Sequence, residues 1–209
     1  MPTPHALLLT APGCPHCPGV KAALEKLLAE GVISALEVVD ISMAPQRAAE
    51  LGVRSVPWLQ LGEFVLTGAQ SPQELRRWAE QAAGPASINS YLQHLLEDGQ
   101  LADAEVFLKQ HPQHIAALLS LVTDVALPIH VRIGTSALFE SFVGSTALQQ
   151  LVPQLGELTQ HPDHRIRADA CHFLGLSQAS AARHFLEPCL NDANQEVREI
   201  AQDAIDELG

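Results

Sequence analysis

Cys14-Pro15-His16-Cys17 is the stretch that decides the fold of the first half of this chain. Two thiols at this spacing can form a reversible disulfide. The apolar run Ala6–Leu9 before the motif predicts a short buried strand, and the spacing of Val20, Leu24 and Leu27 after it predicts one face of a helix. The pattern therefore places both cysteines where a strand passes into the start of a helix.

The two cysteines have unequal predicted roles. The unpaired N–H groups and the dipole of a helix start favour a thiolate, so Cys14 is the predicted nucleophile. A protonated His16 would favour the same thiolate. Cys17 lies one turn further along, where the closing helix removes it from solvent, and it is the predicted resolving thiol that attacks a mixed disulfide formed at Cys14.

Two structural alternatives for this motif are weaker. A Cys-x-x-Cys pair is half of a typical zinc site, but zinc takes four ligands, and Cys171 and Cys189 lie in a different part of the chain. An inert disulfide is disfavoured because so small a loop restricts the unfolded chain very little. We therefore predict no metal at this site and no cofactor, and a redox-active Cys14–Cys17 pair.

The first half of the chain predicts the element order β-α-β-α-β-β-α. Leu36, Val38 and Val39 suggest a second strand that is buried on both faces. Gly62 separates the last two strands and predicts a hairpin, and Ser71-Pro72-Gln73-Glu74 is a capped helix start. The predicted strands cover 5–10, 35–40, 57–61 and 63–67, and the predicted helices cover 15–29, 44–51 and 71–82.

This order, the Cys-Pro-His-Cys motif and Ser55-Val56-Pro57 before the hairpin together resemble the thioredoxin-like fold. The chain starts directly at the strand that carries the motif, so the domain, expected over residues 1–84, resembles a glutaredoxin in size. The resemblance implies a cis bond before Pro57 and a proline that faces the dithiol. It also implies that Val56 offers its backbone to an extended substrate chain beside Cys14.

The resemblance leaves the direction of electron flow open. Cys17 followed by Pro18, with a later Val56-Pro57, is similar to the small redox domains of archaeal protein disulfide oxidoreductases and of the bacterial alkyl hydroperoxide reductase flavoprotein subunit. The inner pair Pro15-His16 is instead that of periplasmic disulfide-forming enzymes, which are oxidants. The electron donor also stays open, between a thioredoxin reductase-like protein and the glutathione system.

The second half of the chain, expected over residues 87–209 beyond a boundary at Ala83–Ser87, shows only helical periodicity. An aliphatic-Arg pair followed by a small residue recurs at Val131-Arg132, Ile166-Arg167 and Val197-Arg198, and it resembles HEAT repeats, which stack antiparallel helix pairs into a superhelix. The three arginines are interpreted as structural partners of turn carboxylates or carbonyls. Tyr91–Leu108 predicts a further helix pair, closer to a tetratricopeptide pattern.

Two other features of this half have a structural and a functional interpretation. His111-Pro112-Gln113-His114 and His161-Pro162-Asp163-His164 suggest a metal site, but histidine closing one helix and proline beginning the next explains both. Cys171 and Cys189 fall on consecutive antiparallel helices. They are interpreted as small buried apolar residues, with a second redox pair as the alternative.

The two halves of the chain differ in net charge. Residues 1–84 carry six Lys/Arg and eight Asp/Glu, a net charge of −2, and the remainder carries six and sixteen, a net charge of −10. Such a surface argues against nucleic acid and anionic membranes as partners and favours a protein partner with a basic surface. No leader-like N-terminus or membrane-length apolar run is evident, so a cytoplasmic location is expected.

Two functions remain from the sequence. The first is a thiol–disulfide oxidoreductase, a protein-disulfide reductase type of enzyme, in which Cys14 attacks, Cys17 resolves and the acidic repeats hold a protein partner. The second is a redox-regulated chaperone or assembly adaptor, similar to the chaperedoxins, in which the repeats carry the main function.

Overall fold

The computed structural model describes residues 3–82 and 87–208. The chain divides between residues 87 and 88 into two compact units. The predicted boundary segment at 83–86 lies outside the described residues, and the predicted domain limits, 1–84 and 87–209, stay predictions.

The first unit has the predicted β-α-β-α-β-β-α order. The elements are β1 His5–Thr10, α1 Cys17–Ala29, β2 Ala35–Asp40, α2 Pro45–Glu50, β3 Trp58–Leu61, β4 Phe64–Thr67 and α3 Pro72–Gln81. The sheet has the strand order β2-β1-β3-β4, with β1 and β2 parallel and the other pairs antiparallel.

Strand β1 lies between β2 and β3, and its side chains are buried on both faces of the sheet. Leu7 and Leu9 pack with Trp58, and partly buried residues, including Ala48 of α2 and Leu51 just after it, pack against this cluster. Ala6 and Leu8, which point to the opposite face, are fully buried, and helices α1 and α3 pack against each other. The sheet thus holds the end of β1 rigidly where the cysteine motif begins.

The prediction that β2 is buried on both faces is wrong. Within residues 3–82 and 87–208, β2 pairs with β1 alone and is an edge strand of the sheet, and none of its own residues is fully buried. Val38, for example, is 39% exposed. The run of apolar residues in β2 indicates a strand but does not reveal its position in the sheet, which depends on long-range pairing.

Two local predictions of this unit are confirmed. Gly62, with φ +59°, begins the two-residue turn between β3 and β4. Ser71 forms a capping box at the start of α3, where its hydroxyl accepts a hydrogen bond from the Glu74 N–H and the Glu74 carboxylate accepts one from the Ser71 N–H.

Residues 88–208 of the second unit form helices and turns. The elements are α4 Ser87–Glu97, α5 Leu101–Gln110, a 3₁₀ helix Pro112–Ala117, α6 Leu118–Thr123, α7 Ile129–Glu140, α8 Thr146–Gln149, α9 Val152–Leu158, α10 His164–Leu176, a 3₁₀ helix Ser180–Ala182, α11 Arg183–Cys189 and α12 Gln195–Glu207. Helix α10 packs on α7, α9, α11 and α12, so it lies inside the stack.

The repeated aliphatic-Arg motif lies near the start of α7, α10 and α12. The aliphatic residue of each copy is fully buried, and the small residue three positions after the arginine is also buried. These small residues are Thr135, Ala170 and Ala201. Small side chains at these positions let neighbouring helices approach, as expected for stacked repeats.

The interpretation of the His-Pro turns is right for the turn at His111 and wrong for the turn at His161. His111 ends α5 and Pro112 begins the following 3₁₀ helix, as predicted. In the other turn, however, α10 begins after Asp163, whose carboxylate caps the helix by accepting the Arg165 N–H. The Nδ1 atom of His161 accepts the Asp163 N–H at 3.0 Å, so this imidazole holds the turn.

In the described parts of the chain, no helix combines the length and the apolar character needed to cross a bilayer.

Candidate active site

The cysteine motif lies on the loop that connects β1 to α1. The loop turns at Gly13, whose φ of +79° is strained for residues with a side chain. The Cys14 N–H donates to the Ala11 carbonyl at 3.3 Å, and Cys17 is the first residue of α1. The loop thus brings both cysteines to the N-terminus of the helix. Sequence reasoning did not single out Gly13, although the Pro12-Gly13 pair is a turn signal.

A disulfide joins Cys14 to Cys17, with their Cα atoms 5.6 Å apart. The Cys17 N–H donates to the Sγ atom of Cys14 at 3.2 Å. This N–H belongs to the first turn of α1, where backbone donors lack partners within the helix. Once the disulfide is reduced, a donor in this position and the helix dipole both favour the thiolate of Cys14.

The two sulfurs differ in their access to solvent. Cys17 is 5% exposed, whereas Cys14 is only partly buried. Pro15 and His16 between them are exposed. His16 occupies the N-cap position, but its side chain makes no capping hydrogen bond. An incoming disulfide therefore meets Cys14 and the His16 imidazole first, and Cys17 lies behind them.

The Val56–Pro57 pair and the cysteine motif lie at the same end of the central strands β1 and β3. Leu9 of β1 pairs with Trp58 of antiparallel β3, so the loop after β1 and the segment before β3 leave the sheet at the same end. The peptide bond between Val56 and Pro57 is cis, as the resemblance implies.

The two residues of this pair differ in the backbone hydrogen bonds that they make. The Pro57 carbonyl accepts the Gly68 N–H at 2.9 Å. Among the residues that the structure describes, none makes a hydrogen bond with the backbone of Val56. Pro57 is buried and Val56 is half-buried. The N–H and C=O of Val56 are thus available to pair with another extended chain.

Two repeat arginines of the second unit, Arg167 and Arg198, have the turn partners that the sequence suggests, whereas Arg132 pairs with Asp169 inside helix α10. Arg167 binds Asp192 of the next turn through two hydrogen bonds of 2.8 Å and also donates to the His161 and Pro162 carbonyls. Arg198 donates to the carbonyls of its own preceding turn, and Arg132 reaches Asp169 at 3.3 Å. These contacts connect turns and helices of the repeats.

Comparisons with known proteins agree with both halves of this description. A family model described as "Thioredoxin domain" matches residues 7–80, and one described as "HEAT repeats" matches residues 142–206. The second match includes the copies at Arg167 and Arg198 but not the copy at Arg132. A protein named thioredoxin from Methanocaldococcus jannaschii is 35% identical over 71 residues, which cover 32% of this chain and 82% of that protein.

Proposed function

This chain belongs to the thioredoxin family, and we propose that it is a thiol–disulfide oxidoreductase that acts on a protein partner through Cys14 and Cys17. The observation that carries the proposal is the position of the Cys14–Cys17 pair at the start of α1, with the Cys17 N–H directed at the Sγ atom of Cys14. A pair that served only to connect two residues has no need of such a donor.

The proposed reaction has two exchange steps. The Cys14 thiolate attacks one sulfur of a substrate disulfide, the S–S bond breaks, and the other substrate sulfur leaves as a thiolate that takes up a proton. Cys17 then loses its proton and attacks the Sγ atom of Cys14, which releases the second substrate thiol and re-forms the Cys14–Cys17 disulfide. An external reductant, a thioredoxin reductase-like protein or the glutathione system, would return the pair to the dithiol.

The other residues of the site would position the substrate and tune the pair. The free backbone of Val56 would pair with the extended substrate chain beside Cys14, and Pro57 would hold that segment in place. A protonated His16 would favour the thiolate of Cys14, which stabilises the reduced pair. Pro15 keeps the loop before the helix fixed in φ.

We also propose that the repeats select the protein partner. HEAT repeats in general present extended surfaces for protein binding, and the second half of this chain is strongly acidic. A partner with a basic surface would fit that charge. The expected cytoplasmic location stays a prediction.

Catalysis of insulin reduction by dithiothreitol tests the enzyme proposal. Wild-type protein should accelerate the reaction, and Cys14→Ser should reduce the rate to that of the uncatalysed reaction. A Cys171→Ala/Cys189→Ala variant, which keeps the first pair, is the matched control and should remain active. Equal activity of wild type and Cys14→Ser would refute the assignment.

A redox-regulated chaperone or adaptor is the second candidate function. The observation in its favour is that Ile129 and Ile133, one turn apart on α7, are 68% and 63% exposed. Such neighbouring apolar side chains could hold an unfolded client. Suppression of citrate synthase aggregation should then persist in Cys14→Ser/Cys17→Ser and weaken in Ile129→Ser/Ile133→Ser. The reverse pattern would exclude this function.

A further inference from the structure

The second unit contains another pair of cysteines whose side chains lie together. Cys171 is on α10, and Cys189 is the last residue of α11. Their exposed fractions are 0% and 3%. Arg167, one turn before Cys171 on α10, lines a cleft together with Cys189 and binds Asp192, three residues after it, so the packing of α10 on the end of α11 brings the two cysteines close together. Both are free thiols. Buried cysteines often act only as small apolar residues, but here two of them lie close together and one of them, Cys189, lines a cleft.

The cleft reaches one cysteine and not the other. It has a volume of about 380 Å³ and is open to solvent, and it lies where α9 and α11 end. Cys189 lines it, together with Arg167, Thr159 and His161, whereas Cys171 is not among the lining residues. A small reagent in the cleft would therefore contact the Sγ atom of Cys189 first, with Cys171 behind it.

The surroundings of the pair also distinguish the two thiols. The neighbouring Cys171 thiol lowers the pKa of Cys189 to about 7, and the Thr159 hydroxyl and the Arg167 charge act in the same direction, although burial and the charge of Asp192 oppose them. The neighbouring Cys189 and burial raise the pKa of Cys171. The thiolate thus forms first at Cys189, the cysteine that the cleft exposes.

We propose that Cys189 and Cys171 are a second dithiol–disulfide pair, in which Cys189 exchanges with a small disulfide in the cleft and Cys171 resolves the product. The assignment stands on two free, buried thiols at the contact of α10 with the end of α11, and on a cleft that Cys189 lines and Cys171 does not. It does not depend on the function proposed for Cys14 and Cys17.

The reaction balances with a low-molecular-weight disulfide, such as glutathione disulfide, as the oxidant. The Cys189 thiolate attacks one sulfur of the disulfide, whose S–S bond breaks, and the other half leaves as a thiolate that accepts a proton. Cys171 then loses its proton and attacks the Sγ atom of Cys189. The second half leaves as a thiol, so the protein pair loses two electrons and the small disulfide gains them.

Mass spectrometry of a full-length Cys14→Ser/Cys17→Ser protein tests the proposal without a contribution from the first pair. After incubation of the folded protein with glutathione disulfide and an acid quench, we expect a Cys171–Cys189 disulfide. If neither this disulfide nor a glutathione adduct forms, while the same protein reacts in urea, the two cysteines are structural and the proposal is overturned.

Two further variants of that protein identify the role of each thiol. Adding Cys171→Ala should trap glutathione on Cys189, and adding Cys189→Ala should lower the total reaction about tenfold or more, because Cys171 lacks access. Circular dichroism establishes that each variant is folded. An adduct on Cys171 in the Cys189→Ala protein that forms as fast as the adduct on Cys189 would contradict the proposed order of attack.

Discussion

At the scale of single residues, the candidate site depends on a difference between two cysteines that are three positions apart. Cys14 lies before the helix and is partly exposed, whereas Cys17 is inside the first turn and 5% exposed. The Cys17 N–H directed at the Sγ atom of Cys14 adds a preference for charge on the outer sulfur. Accessibility and electrostatics therefore select the same nucleophile.

This difference predicts that only one of two single variants traps a substrate. In Cys17→Ser, Cys14 can attack a disulfide but no thiol resolves the product, so a covalent adduct at Cys14 should accumulate. In Cys14→Ser, Cys17 is too buried to attack, and no adduct should form. Non-reducing electrophoresis after incubation of each reduced variant with insulin, whose disulfides are intact, measures both. Equal trapping by the two variants would contradict the assigned roles.

The residues of the candidate site are proposed from the sequence, whereas their environment needs the structure. Cys14, Cys17 and the Val56-Pro57 pair were recognised because motifs and a family resemblance carry them. The donor from Cys17 to the Sγ atom of Cys14 and the open backbone of Val56 depend on coordinates. The proximity of Cys171 and Cys189 also needed the structure, because it depends on the packing of α10 and α11.

At the scale of secondary-structure elements, close packing of α10 on α12 is a strong constraint on the repeats. A Cβ atom added at Gly175 would lie 2.9 Å from the Cβ atom and 3.1 Å from the Cα atom of Ala204. By contrast, a Cβ atom at Gly19 in α1 would meet nothing within 4 Å. Both positions are helical, so helix propensity alone would favour alanine at each.

The contrast predicts opposite effects of the same substitution. Gly175→Ala should destabilise the second unit by about 1–3 kcal/mol, because the backbone of α12 must move. Gly19→Ala should stabilise the first unit by roughly 0.5–1 kcal/mol through the lower entropy of the unfolded chain. Urea denaturation followed by circular dichroism measures both. A Gly175→Ala protein as stable as wild type would show that the helices are not packed so closely.

A second pair of variants tests the link between α10 and the following turn. Arg167→Ala removes two hydrogen bonds to Asp192 and two to turn carbonyls, and hydrogen bonds to charged groups contribute about 1.5–3 kcal/mol each. We therefore expect a loss of at least about 2 kcal/mol of stability. Arg165→Ala, which removes an exposed pair with Asp163, should change stability by less than about 1 kcal/mol. Similar losses in the two variants would contradict this ranking.

The same contact predicts how the second unit responds to acid. The hydrogen bonds from Arg167 hold the pKa of Asp192 below its usual value. A carboxylate with a lowered pKa contributes stability that is fully present above its unfolded pKa of about 3.9 and is lost as the pH falls through the folded value. The Asp192→Asn protein should be less stable than wild type at neutral pH. When the pH is lowered below about 4, its stability should fall by less than that of wild type.

The bounds of the elements in the first unit were predictable within a few residues, because Gly, Pro and capping residues mark most of their ends. The position of β2 at the edge of the sheet was not predictable, because an apolar strand has the same local sequence pattern at the centre of a sheet and at its edge. The start of α10 was also misjudged. Pro162 suggested the first turn, but Asp163 supplies the N-cap, and both residue types are common there.

At the scale of the whole molecule, the chain combines a small redox unit with an acidic helical unit, and its net charge is −12. A surface with this excess of carboxylates attracts basic partners and repels acidic ones over about one Debye length. The acidic excess is greatest beyond residue 84, where the charge is −10. Partner choice should therefore depend on ionic strength.

Two disulfide-containing peptides of equal length, one rich in lysine and one rich in glutamate, test this expectation. At an ionic strength of about 0.01 M, the lysine-rich peptide should be reduced with the higher kcat/KM. The preference should disappear near 1 M, because the Debye length falls from about 30 Å to about 3 Å. A preference that is independent of salt would show that the acidic surface does not select the partner.

The rate of Cys14 alkylation in the reduced protein as a function of pH is the most direct test of the central claim, that the start of α1 makes this thiol reactive. A peptide spanning residues 11–20 is the matched unfolded control. In the folded protein, the rate with iodoacetamide, mapped to Cys14 by mass spectrometry, should reach its plateau at a lower pH than in the peptide and be severalfold faster at about pH 6. Identical pH profiles for protein and peptide would contradict the claim.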